Sequence, residues 1–175
     1  FRQCGQWALP VTIESCGPGE GHYGFIDEVG SPHLERLLQQ VPETIVIGHG
    51  PGFWADIGAH LRVEDKSGYP KGRIVEEGSV TRLLRTHHNL YADISAFSGY
   101  NALTRDEEYG VRFLNEFQDR VIFGTDVCFA DAEGRTQHLH YMCQLLAEGK
   151  IDREAFEKIT CRNALRVIRR YKFTD

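Results

Sequence analysis

Two uninterrupted apolar triplets, Ile45-Val46-Ile47 and Val121-Ile122-Phe123, constrain this chain more than any other feature. β-Branched and aromatic residues in a continuous run, rather than alternating with polar ones, suit strands covered on both faces, as in parallel sheets. They belong to a set of four apolar segments, at 9–13, 44–47, 90–94 and 121–123. Pro10 stands early in its segment, where a strand tolerates a missing N–H.

Helical patterns separate these segments. Ser31 and Pro32 form an N-terminal signature that opens a helix, and Pro42 closes it. A short helix is expected over 53–61, one over 80–86 capped by Ser79, and one over 106–117. A helix over 135–148 ends at Gly149, a natural C-terminal cap. Asp152 caps 153–159 and Thr160 caps 162–171, with Lys158 and Arg169-Arg170 at the negative ends of the helix dipoles. Strand and helix alternate four times, which predicts βα units on a parallel α/β sheet. Residues 62–78, glycine-rich and charged, read as a long loop after the second strand, a usual place for function. The length of 175 residues predicts one domain over 1–175.

Every apolar run ends on polar side chains: Glu14 after Ile13, His49 after Gly48, Asp93 and Ser95 around Ile94, and Asp126 after Thr125. Ligands of parallel α/β folds bind beyond the carboxyl ends of the strands. Glu14, His49, Asp93 and Asp126 are therefore expected to converge, and carboxylates around a histidine suit acid–base work or a divalent metal. His22, in a glycine-rich stretch after Glu14, is a weaker site candidate, as are Asp93 and Ser95. His138 and His140 lie in a helical pattern that turns them to different sides, and the histidines of 87–88 sit at a helix end. The glycines at 19–24 do not open a helix as the G-x-G-x-x-G of a dinucleotide loop does.

The 25 acidic and 20 basic residues leave a net charge of -5, and no basic block offers a nucleic-acid footprint. No apolar stretch approaches the ~20 residues of a membrane span. Five cysteines without a C-x-x-C pair predict reduced thiols and a cytoplasmic protein. The chain opens on Phe1 without the pattern of a signal peptide.

Three segments together resemble the amidohydrolase family: Val46-Ile47-Gly48-His49-Gly50-Pro51-Gly52-Phe53-Trp54, Asn89-Leu90-Tyr91-Ala92-Asp93-Ile94-Ser95-Ala96, and Val121-Ile122-Phe123-Gly124-Thr125-Asp126. Leu9-Pro10-Val11-Thr12-Ile13 is similar to that family's fifth barrel strand, and the 159–166 segment to its C-terminal helix. The branch it most resembles contains aminocarboxymuconate-semialdehyde decarboxylase and related aromatic-acid decarboxylases. The resemblance implies a (β/α)8 TIM barrel, of which this chain matches strands five to eight. The first-strand H-x-H metal motif has no counterpart, so a partial chain is the expectation. His49 then corresponds to the histidine that polarises the substrate or acts as acid–base, and Asp126 to an aspartate that ligates the metal and takes a proton from its water. Glu14 stands where the family carries a histidine metal ligand. Phe53, Trp54 and Tyr100 are expected above the metal, stacking on a planar substrate.

The implied function is metal-dependent hydrolysis of a small amide, ester, lactone or carboxylic-acid substrate, with zinc as cofactor and manganese as the alternative. Decarboxylation, or a non-catalytic relative with an incomplete metal site, are the rival readings, and a doubly wound sheet is the rival architecture. The expected partners are a small-molecule substrate and, through the open edges of a four-stranded sheet, a second copy in a homodimer.

Overall fold

The computed structural model describes residues 1–19, 24–128 and 137–168. Its strands are β1 (Val11–Cys16), β2 (Phe25–Ile26), β3 (Val46–His49), β4 (Leu90–Asp93) and β5 (Val121–Ile122), in the spatial order β2-β1-β3-β4-β5. All adjacent pairs are parallel. The helices are α1 (Arg2–Gln6), α2 (Pro32–Gln40), α3 (Gly50–Ala55), α4 (Ser79–Thr86), α5 (Ala96–Thr104), α6 (Glu107–Glu116), α7 (Gln137–Ala147), α8 (Arg153–Glu157) and α9 (Asn163–Ile168).

Strands β1, β3, β4 and β5 coincide with the four apolar segments and lie side by side in chain order, as in a stretch of TIM barrel. The short β2 carries no strand pattern. It pairs only with the end of β1, Ser15 to Phe25 and Cys16 to Ile26. Residues 17–24, which join it to β1, are too few for the crossover of about a dozen residues that a βαβ unit needs. The reversal of order at β2 is therefore no doubly wound crossover.

Strand register sorts the side chains onto two faces, because residues two apart share a side. Val46 pairs with Val11 and Leu90, and Ala92 pairs with Val121, so these face one way. They enter the main core with Leu34, Leu38, Leu83, Leu84, Phe113 and Leu114 from the covering helices. On the other face Ile45 and Tyr91 pack with Val167 of α9, flanked by Ile47 and Ile122. Burial on both faces accounts for the unbroken apolar runs. Two asparagines fasten strand starts to helices: Asn89 donates to the carbonyls of Leu38, Val41 and Thr44, and Asn163 to those of Gln118 and Val121.

Several helix ends differ from expectation. Asp106 and Asp152 do begin helices, accepting from the backbone N–H of Tyr109 and Ala155. Ser31 does not cap α2. Asp27 does so from upstream, accepting from the N–H groups of His33 and Leu34. Gly78, not Ser79, precedes α4, and the Ser79 hydroxyl turns inward. At Thr160 no new helix starts: a π-helical turn, Lys158–Arg162, carries α8 into α9, and Thr160 donates to the Phe156 carbonyl one turn back. The helix expected over 53–61 runs instead over Gly50–Ala55, and α1 and α5 were not anticipated. Arg135 and residues 169–171 of the expected helices lie outside the described residues.

Among the described residues no helix is long and apolar enough to cross a membrane. The five cysteines are free thiols.

Candidate active site

Glu14 and His49 are direct register partners on β1 and β3. Continuing the β3–β4 register one residue past the Gly48–Ala92 pair brings Asp93 beside His49 on the same face. The three side chains thus form one row across the carboxyl end of the sheet. His49 Nδ1 lies 3.0 Å from Asp93 Oδ2, and its Nε2 lies 3.7 Å from Glu14 Oε2. An ionised carboxylate only accepts, so Nδ1 carries the hydrogen and Nε2 is the nitrogen left for chemistry.

Asp93 is held from three directions. The Ser95 hydroxyl donates to Oδ2 at 2.7 Å and the Ser95 N–H to Oδ1 at 2.8 Å. Trp54 Nε1 donates to the Asp93 carbonyl at 2.8 Å. Ser95 Oγ also lies 3.2 Å from His49 Nδ1. Burial pushes the Asp93 carboxyl up, but the bonds from His49 and Ser95 outweigh it and hold it below the ordinary carboxylate value. The same bond raises the His49 imidazole above its ordinary value against the opposing effect of burial, with further help from the charges of Asp93, Glu14 and Asp126. The flanking carboxylates therefore stabilise the protonated form of His49 more than water does.

The segment after β3 sets this geometry. Gly50 has φ +86, and a Cβ there would stand 2.7 Å from Glu14 Oε1. Gly52 lets α3 approach β1 so closely that a Cβ would stand 2.3 Å from the Ser15 carbonyl oxygen. Asp126 follows β5 with φ +55, in the left-handed region that aspartate tolerates better than most residues. Its side chain is exposed, and it reaches His49 through charge rather than through a hydrogen bond.

The structure places the other expected site residues differently. Phe53 and Trp54 do not stack above the site: at 1% and 2% exposure they belong to the main core on the opposite face. Their rings meet edge to face, because α3 turns its apolar side beneath the sheet. Trp54 reaches the site only through its N–H to Asp93. Tyr100 is half-buried, its ring against Phe97, His138 and Tyr141. His22 lies outside the described residues. His138 is buried and its Nε2 donates to the Ala96 carbonyl, while His140 is exposed, as their helical spacing anticipates.

Sequence reasoning missed a second polar centre. Lys66, wholly buried in the long loop, pairs with buried Asp56 at 2.6 Å. The same Asp56 oxygen accepts from Ser31, Ser79 and the Gly30 N–H. This cluster pins the 62–78 loop to α2 and α4. Nothing in the run Arg62-Val63-Glu64-Asp65-Lys66 distinguishes the buried charge from its exposed neighbours.

Two donors, Glu14 and His49 Nε2, face each other at the sheet end, but among the described residues no three His, Cys, Asp or Glu side chains converge closely enough to hold an ion. Tetrahedral zinc in a catalytic centre takes three protein ligands. The described residues by themselves do not fit the divalent metal that the resemblance implies.

Neither a search of curated proteins nor one of solved structures returns a match. A family model described as amidohydrolase matches residues 8–170, a span that holds the whole sheet and every residue of the Glu14, His49, Asp93 and Asp126 set. The parallel strand order, the polar row at its carboxyl end and this match over nearly the entire chain agree: the chain belongs to the amidohydrolase family.

Proposed function

We propose that this chain carries the acid–base centre of an enzyme that hydrolyses a small organic substrate, an amide, ester or lactone, with His49 as the working group. The observation that supports it most is the 3.0 Å bond from His49 Nδ1 to Asp93. It orients the ring, fixes the hydrogen on Nδ1 and steadies the imidazolium that forms when Nε2 takes a proton. In the forward step Nε2 accepts a proton from water as the water oxygen bonds to the carbonyl carbon. The imidazolium then returns that proton to the leaving nitrogen or oxygen as its bond to carbon breaks. Glu14 adds a second negative charge beside the imidazolium, and Asp126 is the further carboxylate at the rim. A ring whose proton affinity is raised above the ordinary imidazole value by Asp93 can both take up and return the proton in this cycle.

The test is a panel of amides, esters, lactones and aromatic carboxylic acids, assayed with and without added zinc and manganese. Hydrolysis that falls by about 10²-fold or more in His49→Gln supports the reading. Full turnover in that variant overturns it. Release of carbon dioxide from an aromatic acid, lost in the same variant, assigns the centre to decarboxylation, the activity of the branch that the chain resembles.

A further inference from the structure

Away from the His49 row, the 62–78 loop borders an open cleft of about 600 Å³. That is the size of a small-molecule site. Four cationic side chains line it, Arg62, Lys71, Arg73 and Arg105, against a single carboxylate, Asp65. Two of these cations are already paired: Arg62 binds Asp65, and Arg73 binds Glu108 at 2.9 Å. Arg105 is not. Its Nε is buried without a hydrogen-bond partner, and it forms no ion pair among the described residues. The nearby Asp106 carboxylate is committed elsewhere, accepting from the N–H groups of Ile74 and Tyr109 and facing Arg73 at 3.7 Å. Burial pulls the Arg105 guanidinium below its ordinary value, against the charges of Asp106 and Tyr109.

A half-buried guanidinium without an acceptor is costly, and of the three buried side-chain polar atoms left unpartnered among the described residues, Ser98 Oγ, His138 Nδ1 and Arg105 Nε, it is the one that carries a full charge and lines the cleft. The backbone makes room for it: a Cβ on Gly58 would stand 3.0 Å from an Arg105 terminal nitrogen. Lys71 adds an exposed cation with no ion pair among the described residues, and Tyr69, 47% exposed, supplies an aromatic wall. A planar guanidinium fork with free donors matches the paired oxygens of a carboxylate or phosphate.

We propose that this cleft is a binding site for a small organic anion, its carboxylate or phosphate group held by Arg105 with Lys71 in support and its organic part against Tyr69.

The experiment is titration calorimetry of the intact chain with inorganic phosphate and, separately, with benzoate, at constant ionic strength set by chloride. Saturable binding of either probe, weakened tenfold or more in Arg105→Gln and unchanged in His49→Gln, is the expected result. Which probe binds names the anion class. Lys71→Met, which alters an exposed side chain, is expected to weaken binding by about threefold, consistent with a screened surface charge, and keeps the test informative if Arg105→Gln fails to fold. Binding that chloride reproduces, that survives both Arg105→Gln and Lys71→Met, or that is absent up to about 10 mM probe, well beyond the millimolar affinities of weak ligands, overturns the proposal. Because His49 is not in this cleft, loss of hydrolysis in His49→Gln and loss of anion binding in Arg105→Gln are separate results.

Discussion

His49 and Asp93 stand on neighbouring parallel strands, 44 positions apart in sequence, and share a hydrogen bond of 3.0 Å at the carboxyl end of the sheet. Asp93 is both acceptor and anchor: Ser95 and Trp54 hold it in place, and it holds the ring. Removing its charge while keeping its shape therefore separates electrostatics from packing. In Asp93→Asn the imidazolium loses its nearest counter-charge, so the His49 titration, followed by its ring-proton NMR signals, moves to lower pH. Turnover falls by about 10²-fold or more. An unmoved titration sinks the assigned role of Asp93.

The pH dependence of stability follows with a definite sign. The His49 value is raised in the folded chain, so its contribution is fully present below the unfolded value of about 6.5 and is lost as pH rises through the folded value. The Asp93 value is lowered, so its contribution is present above the ordinary 3.8 and is lost as pH falls through the folded value. Urea denaturation across this range is expected to show the wild type losing stability above pH 6.5 relative to His49→Gln. Parallel curves for the two proteins contradict the assignment.

The Lys66–Asp56 pair predicts an asymmetry between single and double substitution. Asp56→Ala leaves a buried ammonium and two hydroxyls without their acceptor, and a loss of about 3–5 kcal/mol is expected. Replacing both charges, Asp56→Leu with Lys66→Met, is expected to cost far less than the two single changes added together. Denaturant midpoints of the three variants measure the difference, and additivity would contradict a coupled pair.

Close approach of α3 to β1 predicts that Gly52→Ala destabilises the chain. The added methyl would meet the Ser15 carbonyl oxygen, which is backbone and yields little. A loss of about 1–3 kcal/mol is expected from such overpacking. Thermal unfolding reads it directly, and an unchanged midpoint shows that the helix can shift without cost.

Part of this fold is legible in the sequence alone. Continuous β-branched runs located β3 and β5, because a strand buried on both faces has no polar position to alternate with. The polar residues that end each run marked the site end of the sheet, since chain direction is common to all parallel strands. Asp106, Asp152 and Gly149 were readable as helix boundaries, because a cap acts on residues within one turn of itself. These are local effects, and local sequence determines them.

Tertiary structure decided the rest. Ser31 has the sequence context of a cap, yet its hydroxyl serves Asp56, which lies far along the chain. Phe53 and Trp54 follow His49 directly, yet the turn at Gly50 carries them to the opposite face of the sheet. Asp93 reads as one carboxylate among several, and only the register of β3 against β4 places it on His49. Lys66 looks like any charged loop residue, and only the fold closes over it. In each case the deciding partner is distant in sequence, and the energy of a hydrogen bond or a buried charge depends on which atoms the whole fold brings within about 3 Å. Local pattern specified which residues form strands and helix ends; the packing of those elements specified which side chains meet.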